Sequence, residues 1–316
     1  MQKNNHRLYS GNRVSLGENR YIVGKQLGQG TFGKVYHVHD DDISNPLVLK
    51  WYEKAAKYKM ERVERSLALR RSLKLSSDDL SWPIDDGVSR GHKVVVMNHF
   101  PGTHFPINFP RGDLSIMIEG IKQLANNVVD MINEGVVHRD LKPNNVLLEQ
   151  TTAGELKARV IDLDLLVRAN EPVEQDHLSG TPLYMPPMLR RSSDDKIIAA
   201  TTHDIFALGV IGAEILGRVP RQFNVSNFLG SNLSDAELVQ RRYASKLTAN
   251  QAIQNNLRML ASCSSVEQYR SEIRGLVEFV IAAMQPNPDD RPSTMMEINQ
   301  LLDTTHSCSH VQTNVL

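Results

Sequence analysis

The sequence predicts an α+β fold in two parts, a small antiparallel sheet with one helix and a larger, mainly helical part. Two observations indicate this division. Between residues 21 and 98, short apolar runs alternate with Gly, Asp and Pro, as in strands joined by turns. After Pro101, apolar residues such as Ile121, Leu124 and Val128 recur at helical spacing.

The expected domain covers residues 20–303, with the small part at about 20–98 and the larger part at about 103–303. We expect residues 1–19 to be a flexible lead-in and residues 304–316 to be a flexible tail, because both segments are polar and lack periodicity. We find no internal repeat and no low-complexity block in the chain.

Four strands and one helix are predicted in the small part. The strands lie at Tyr21–Leu27, Lys34–Val38, Leu47–Trp51 and Lys93–Met97. The helix runs from about Tyr52 to Leu75 and is strongly basic. We expect a solvated face, and a docking surface for an acidic partner is the alternative. Its basic residues are Lys54, Lys57, Lys59, Arg62, Arg65, Arg70, Arg71 and Lys74.

Three helices are predicted in the larger part. The first covers Ile121–Ile132 and is followed by Gly135, a residue typical of helix C-termini. The second, at Asp204–Leu216, is almost wholly apolar, which indicates burial on most sides. The third begins where Thr294 and Glu297 have the spacing of a capping box.

Composition excludes several classes of function. Lysine plus arginine equals aspartate plus glutamate, at 36 each, so no net field favours nucleic acid or an anionic membrane. No run of about 18 apolar residues predicts a membrane span, and the first residues lack the apolar stretch of a secretory signal. Two cysteines, Cys263 and Cys308, fit a reducing compartment. We expect a soluble cytoplasmic protein, with delivery into a host cell as an effector left open.

A glycine-rich run at Leu27–Val35 has the pattern G-x-G-x-x-G-x-V and predicts a phosphate-binding loop. Gly28, Gly30 and Gly33 lack Cβ atoms, so backbone N–H groups can approach phosphate oxygens. Dinucleotide-binding proteins share this spacing but continue into a helix. Here Val35–Val38 is β-branched and aromatic, which predicts a second strand. A plain glycine-rich hairpin is the remaining alternative.

Lys50 ends an apolar strand and is a candidate to bind the α- and β-phosphates of a nucleotide. The alternative is an ordinary cation at a strand end. A phosphate-binding lysine needs an anion to orient it, and the following helix offers Glu61 and Glu64. We prefer Glu64, because Leu67 and Ala68 lie one turn further on and indicate that its face packs inward.

The most specific segment is Val136–Leu148, which contains His-Arg-Asp-Leu-Lys-Pro-Asn-Asn. Together with the glycine-rich run, Lys50 and the triplet at Asp162–Asp164, it resembles the eukaryotic protein kinase superfamily in motif order and spacing. The resemblance covers residues 21–302. It implies the two-lobed protein kinase fold and transfer of the γ-phosphoryl group of ATP to a protein substrate.

Several residue roles follow from this resemblance. Asp140 is implied to accept the proton of the substrate hydroxyl, and Lys142 to neutralise the transferring phosphoryl group. Asn145 and Asp162 are implied to bind Mg²⁺, which prefers oxygen ligands. A lysine two residues after Asp140 resembles the serine/threonine branch of the superfamily. This arrangement requires Lys50 to lie close to Asp162.

Asp164 stands where the superfamily has glycine. We expect the lost backbone freedom to slow rearrangement of this segment, or the added carboxylate to alter the preference between Mg²⁺ and Mn²⁺. One alternative function is a pseudokinase, a nucleotide-binding scaffold, favoured only by Asp164 and by Met188, which replaces a glutamate. The other is a small-molecule phosphotransferase of kinase-like fold. The segment Gly180–Pro187 argues against it, because it resembles a binding platform for protein substrates.

The same segment resembles the end of a kinase activation segment. Thr181 matches a threonine that contacts the catalytic aspartate and lysine. Arg139 resembles an arginine that binds an activating phosphate. The hydroxyl side chains between Asp162 and Pro187 are those of Ser179, Thr181 and Tyr184. We also consider that a carboxylate neutralises Arg139 in place of a phosphate. The candidates are Glu171, Glu174 and Asp176.

The resemblance further implies structural and adenine-binding residues. His138, Asp204 and Arg291 are structural candidates, with Asp204 holding the backbone of the catalytic loop; a helix N-cap is the alternative for Asp204. Because Met188 replaces its usual glutamate, Arg291 needs either another partner or a position exposed to solvent. Met97 is also explained by core packing. The candidate nucleotide contacts beside the glycines and at the connection between lobes are Leu27, Val35, Met97, Asn98 and Phe100.

Overall fold

The structure is a computed structural model of the chain. It describes residues 8–30, 32–40, 46–53, 57–73, 80–105, 114–173, 180–186, 190–191, 196–215 and 270–303. The chain divides into two compact units. Unit 1 comprises Met1–Pro101 and Ile161–Asp164, and unit 2 comprises Gly102–Val160 and Leu165–Leu316.

The described residues of unit 1 contain six strands and one helix. These are β1 (Arg13–Leu16), β2 (Asn19–Gln29), β3 (Gly33–Asp40), β4 (Leu47–Tyr52), α1 (Lys57–Ser72), β5 (Pro83–Ser89) and β6 (His92–Asn98). The strands form one antiparallel sheet in the order β1-β2-β3-β4-β6-β5. The antiparallel sheet predicted for the small part is therefore confirmed.

The central strand β4 places Lys50 in a buried layer. All six residues of β4 are buried, and successive side chains point to opposite faces of the sheet. Trp51 packs with the apolar cluster that includes Tyr21, whereas Tyr52 packs on the other face with Val63 and Leu67 of α1. Lys50 shares the face of Tyr52, so the lysine side chain enters the layer between β4 and α1.

The expectation of a flexible lead-in over residues 1–19 is wrong at β1. This strand pairs with β2, and Val14 and Leu16 are buried. Two apolar residues are too few to distinguish a strand from a polar terminus in sequence. Strand β5 also escaped prediction, because Asp85, Asp86 and Gly87 give it a composition typical of turns.

Helix α1 begins at Lys57 and not near Tyr52, which is the last residue of β4. Its buried side chains recur at spacings of three and four residues, which puts them on one face of the helix. They are Val63, Ser66, Leu67 and Arg70. The prediction of a solvated basic face is therefore wrong for Arg70. The predicted inward position of Ala68 is also wrong, because Ala68 is exposed.

Unit 2 contains four α-helices and several short strands in its described residues. The helices are α2 (Leu114–Asn133), α3 (His203–Ile215), α4 (Arg270–Ala283) and α5 (Met295–Leu302). The strands are β7 (Thr103–His104), β8 (Val136–Val137), β9 (Val146–Gln150), β10 (Leu156–Val160), β11 (Val167–Arg168), β12 (Pro172–Val173), β13 (Arg190–Arg191) and β14 (Ile197–Ile198).

The helices of unit 2 pack around α3. This helix is buried from His203 to Ala213, as its apolar sequence predicted, and α2 and α4 pack against it. The predicted capping box is confirmed, since Thr294 Oγ1 accepts the N–H of Glu297, whose carboxylate accepts the N–H of Thr294. None of the helices in the described ranges has the length and apolar character needed to cross a membrane. The predicted tail, residues 304–316, lies outside these ranges.

Candidate active site

The glycine-rich run of unit 1 is a hairpin between β2 and β3. Gln29 pairs with Lys34, and the N–H of Gly30 donates to the carbonyl of Gly33 at 2.8 Å. Strand β3 follows the glycines directly, which excludes the helix that a dinucleotide-binding fold requires there. Gly33 is also required by packing, because a Cβ atom at this position would collide with the carbonyl of Trp51.

The candidate nucleotide contacts lie on and after the strands of unit 1. Val35 and Met97 belong to the apolar layer between the sheet and α1, so core packing explains both. Leu27 is exposed on β2, Asn98 is exposed at the end of β6, and Phe100 is partly buried just beyond it. Their contact with adenine stays a prediction.

Lys50 lies between two carboxylates. Its Nζ donates to Oδ1 of Asp162 at 2.5 Å and to Oδ2 of Asp164 at 2.7 Å. The proximity of Lys50 and Asp162 that the sequence argument required is therefore confirmed. Burial by itself would lower the pKa of Lys50, but attraction by Asp162 and Asp164 outweighs it and raises the pKa above its ordinary value. The amine therefore stays charged at neutral pH.

The prediction that Glu64 orients Lys50 is wrong. Oε1 of Glu64 lies 3.0 Å from Nζ of Lys93 on β6, and 52% of the Glu64 side chain is exposed. Val63 and Leu67 occupy the inward face of α1. Because each residue of a helix is rotated by about 100° from the one before it, Glu64 points away from that face.

The sequence suggested that Asp164 adds a carboxylate close to the metal; in the structure, both oxygens of this carboxylate accept hydrogen bonds from the protein. Its side chain is only 3% exposed. Oδ2 contacts Lys50, while Oδ1 accepts the hydroxyl of Tyr52 at 2.7 Å and lies 3.9 Å from the guanidinium of Arg70. Burial, reinforced by the negative charge of Asp164, raises the pKa of Tyr52, so its hydroxyl keeps the proton that it donates. Tyr52 and Arg70 were not predicted from the sequence as members of the site.

Two site residues have unusual backbone conformations. The φ angle is 64° at Asp162 and 70° at Arg139, which is the left-handed region. A residue with a side chain rarely adopts this conformation, and the strain costs about 1–3 kcal/mol. Such strain persists where surrounding contacts fix the backbone, and it is concentrated at functional sites.

Asp140 of unit 2 is fixed through both carboxylate oxygens. The Thr181 hydroxyl donates to Oδ1 at 2.6 Å, and Lys142 Nζ donates to Oδ2 at 2.7 Å. Lys142 Nζ also lies 2.9 Å from the Thr181 hydroxyl oxygen. The predicted contact of Thr181 with the aspartate and the lysine is thus confirmed.

Asn145 ends a 3-10 turn at Pro143–Asn145 and is buried. Its amide nitrogen donates to the backbone carbonyl of Asp140 at 2.8 Å and lies 3.3 Å from Oδ2 of Asp140. Because the amide nitrogen of Asn145 faces these two oxygens of Asp140, its amide oxygen points away from Asp140. An amide oxygen is a suitable ligand for Mg²⁺.

Asp204 holds the backbone of the catalytic loop, as predicted. Its Oδ2 accepts the N–H of His138 at 2.6 Å, and its Oδ1 accepts the N–H of Arg139 at 3.0 Å. Nδ1 of His138 in turn accepts the N–H of Asp140 at 3.2 Å. Burial raises the pKa of Asp204, although the bonds from His138 and Arg139 oppose this effect. The structural roles predicted for Asp204 and His138 agree with these contacts.

The activation segment is described only in part. Gly180 has a φ of 121°, and a Cβ atom there would lie 2.6 Å from the carbonyl oxygen of Arg139, so only glycine fits. Arg139 is buried, and Glu171 is exposed. The predictions for Ser179, Glu174, Asp176, Pro187 and Met188 fall outside the described residues.

Arg291 bonds to backbone carbonyl groups, whereas the superfamily pairs this arginine with a glutamate at the position of Met188. Its guanidinium is buried and donates to the backbone carbonyls of Gln285 at 2.8 Å, Pro286 at 2.8 Å and Thr202 at 3.3 Å. The guanidinium carbon also lies 5.2 Å from the ring centre of Phe206, a cation–π distance. The guanidinium nitrogens of Arg291 therefore link the segment that follows α4 to the residue that precedes α3.

We expect Arg291→Ala to lower the free energy of unfolding by about 2–4 kcal/mol, because hydrogen bonds from a charged donor contribute about 1.5–3 kcal/mol. Urea denaturation followed by circular dichroism measures the change. Arg291→Lys is the matched variant and should keep only part of the stability, since an ammonium group lacks the planar fork. Equal midpoints for Arg291→Ala and the unmodified chain would contradict this role.

The fold of unit 1 and the catalytic loop of unit 2 are each typical of a protein kinase domain. The protein kinase domain family matches residues 21–304, and the chain belongs to that family. Members of the family use ATP and Mg²⁺.

Named relatives cover the chain to different extents. Serine/threonine-protein kinase pkn2 of Myxococcus xanthus is 26% identical over 309 residues, which are 92% of this chain and 33% of that protein. CBL-interacting protein kinase 11 of Oryza sativa subsp. japonica is 32% identical over 65% of this chain and 40% of its own length. CBL-interacting serine/threonine-protein kinase 15 of Arabidopsis thaliana is 31% identical over 61% and 45%, respectively. The chain thus spans less than half the length of these relatives.

Proposed function

We propose that the chain is an active serine/threonine protein kinase, which transfers the γ-phosphoryl group of ATP to a hydroxyl group of a protein. The observation that most supports this proposal is the pair of contacts on Asp140, from Thr181 and from Lys142. A pseudokinase would be expected to have lost a phosphate-binding or metal-binding residue. Lys50, Asn145 and Asp162 are all present, in addition to Asp140.

Asp140 has the chemistry of the catalytic base. It accepts the proton of the substrate hydroxyl while the hydroxyl oxygen attacks the γ-phosphorus and the bond from that phosphorus to its bridging oxygen breaks, which releases ADP. The bonds from Thr181 and Lys142 fix the direction of the carboxylate. The charge on Lys142 also stabilises the negative charge that develops on the transferring group.

Two side chains, considered each within its own unit, carry oxygen atoms of the kind that bind a divalent cation. Asp162 offers a partly exposed carboxylate, and Asn145 offers an amide oxygen. Oxygen ligands of this kind suit Mg²⁺ or Mn²⁺. When bound, the cation supplies positive charge that neutralises the phosphates of ATP. Lys50 supplies a further positive charge, which we assign to the α- and β-phosphates.

Two features support serine and threonine as the accepting residues. Lys142 follows Asp140 by two positions, as in the serine/threonine branch of the superfamily. Two of the relatives reported above are named serine/threonine-protein kinases.

Transfer of labelled phosphate from ATP to peptide libraries tests this function. Three libraries carry serine, threonine or tyrosine as the only hydroxyl side chain, and each is assayed with Mg²⁺ and with Mn²⁺. We expect the serine and threonine libraries to be labelled at least about tenfold faster than the tyrosine library. Labelling confined to tyrosine would contradict the assigned class. Labelling of a sugar panel without any peptide would support the small-molecule alternative.

A further inference from the structure

A buried polar cluster surrounds Asp164 in unit 1, and the proposed mechanism does not explain it. We call it the Asp164 cluster; it consists of Lys50, Tyr52, Arg70 and Asp164. The four side chains come from three places in the sequence: β4 supplies two, α1 supplies one, and the segment Ile161–Asp164 supplies the carboxylate. All four side chains are buried.

The charges in this region balance. A buried carboxylate is costly unless cations and hydrogen bonds compensate it. Lys50 and Arg70 face Asp162 and Asp164, so two positive charges meet two negative charges. Tyr52 adds a neutral hydroxyl donor at 2.7 Å from Asp164. Asp164 is therefore provided with donors for both of its oxygens.

The two carboxylates that contact Lys50 differ in their surroundings. The Asp162 side chain is 33% exposed, and its proposed role as a metal ligand requires its oxygens. The Asp164 side chain is 3% exposed, and its oxygens face Lys50, Tyr52 and Arg70. The contact of Lys50 with Asp164 therefore does not depend on an oxygen atom of Asp162.

We propose that Asp164 is the positioning residue of Lys50, a role that the sequence had assigned to Glu64 on α1. This inference rests on the proposed function, since Lys50 is positioned for the phosphates of ATP. Tyr52 and Arg70 hold Asp164 in turn. The hydroxyl of Ser66 on α1 donates to the carbonyl of Leu163 at 2.5 Å and fixes the adjacent backbone.

Asp164, which stands where the superfamily has glycine, consequently has a function of its own, the positioning of Lys50. The direction of Lys50 depends on the segment Ile161–Asp164 and not on a charge on the exposed face of α1. Because both oxygens of Asp164 contact protein donors, we expect the relative affinity for ATP with Mg²⁺ and with Mn²⁺ to be the same in variants at this position.

Equilibrium binding of ATP, measured by titration calorimetry without a protein substrate, tests the inference. We expect Asp164→Asn to raise the dissociation constant by about 10- to 100-fold, the loss expected for one charge-assisted hydrogen bond. Asp164→Gly restores the residue of the superfamily and should also weaken binding. Glu64→Gln is the matched control and should change the constant less than about twofold.

A double-mutant cycle with Lys50→Met distinguishes positioning from a general loss of structure. When Lys50 is absent, Asp164→Asn should change the dissociation constant less than about twofold, because its effect is exerted through the lysine. Tyr52→Phe provides a second, milder variant that removes one donor to Asp164, and it should raise the constant about threefold in the unmodified chain and leave it unchanged beside Lys50→Met.

Three results would overturn the inference: unchanged ATP binding in both Asp164→Asn and Tyr52→Phe, equal effects with and without Lys50, or an effect of Glu64→Gln as large as that of Asp164→Asn. Failure of the proposed function gives a different result. In that case the unmodified chain binds ATP and labels no peptide, while the differences in binding among the variants remain.

Discussion

Replacement of Asp140 by asparagine is expected to lower the rate of phosphoryl transfer by about 10²- to 10⁴-fold, the usual contribution of a general base. Asparagine has nearly the same shape and still offers one oxygen to the hydroxyl of Thr181 or to the amine of Lys142. It cannot accept the proton of the substrate hydroxyl. The fold and the binding of ATP should therefore be preserved while the turnover number falls.

Single-turnover kinetics with a serine peptide, together with calorimetric titration of ATP, measure both quantities for Asp140→Asn. Glu155→Gln is the matched control, because Glu155 is an exposed carboxylate of the same unit. It should retain the rate of the unmodified chain within about twofold. A rate for Asp140→Asn within tenfold of the unmodified chain would exclude Asp140 as the base.

Replacement of Asp204 by alanine is expected to lower the free energy of unfolding by about 2–6 kcal/mol. The carboxylate accepts the backbone N–H groups of His138 and Arg139, and all three residues are buried. Without it, two buried donors are left unsatisfied, at about 1–3 kcal/mol each. The strained backbone at Arg139, with its φ of 70°, also loses a contact that fixes it.

Urea denaturation at neutral pH measures the effect of Asp204→Ala, with Glu155→Ala as the control for a surface carboxylate. The control should change the free energy of unfolding by no more than about 0.5 kcal/mol. If Asp204→Ala shifts it by less than about 1 kcal/mol, the backbone of the catalytic loop has another support. We also expect Asp204→Ala to slow phosphoryl transfer, since Asp140 follows directly after the two supported residues.

In helix α1, the inward face was predicted correctly from the sequence, but the position of Glu64 was not. The apolar residues Val63 and Leu67 indicated an inward face correctly. Glu64 was assigned to the same face because Leu67 and Ala68 lie within one turn of it. A helix turns by about 100° per residue, so an error of one position exchanges a buried partner for an exposed one. Arg70 lies three residues after Leu67, so helical spacing placed it on the inward face. It was nevertheless predicted to be solvated, because it was grouped with the other basic residues of the helix.

The division between the units shows a similar limit. Residues 161–164 follow β10 in chain order and were predicted to belong to the larger part. They cluster with unit 1, because Lys50, Tyr52 and Ser66 contact Asp162, Asp164 and Leu163. Contacts between residues about 100 positions apart leave no local pattern in sequence.

The sequence by itself determined the family, the glycine hairpin, the catalytic loop with Asp140, the buried helix α3 and the capping box at Thr294. Each of these is a local pattern, in which neighbouring residues contain the whole physical signal. Only the tertiary structure decided the partners of Lys50, Asp164 and Arg291. A buried charge binds the nearest compensating groups, and these groups are supplied by packing of segments that are distant in the chain.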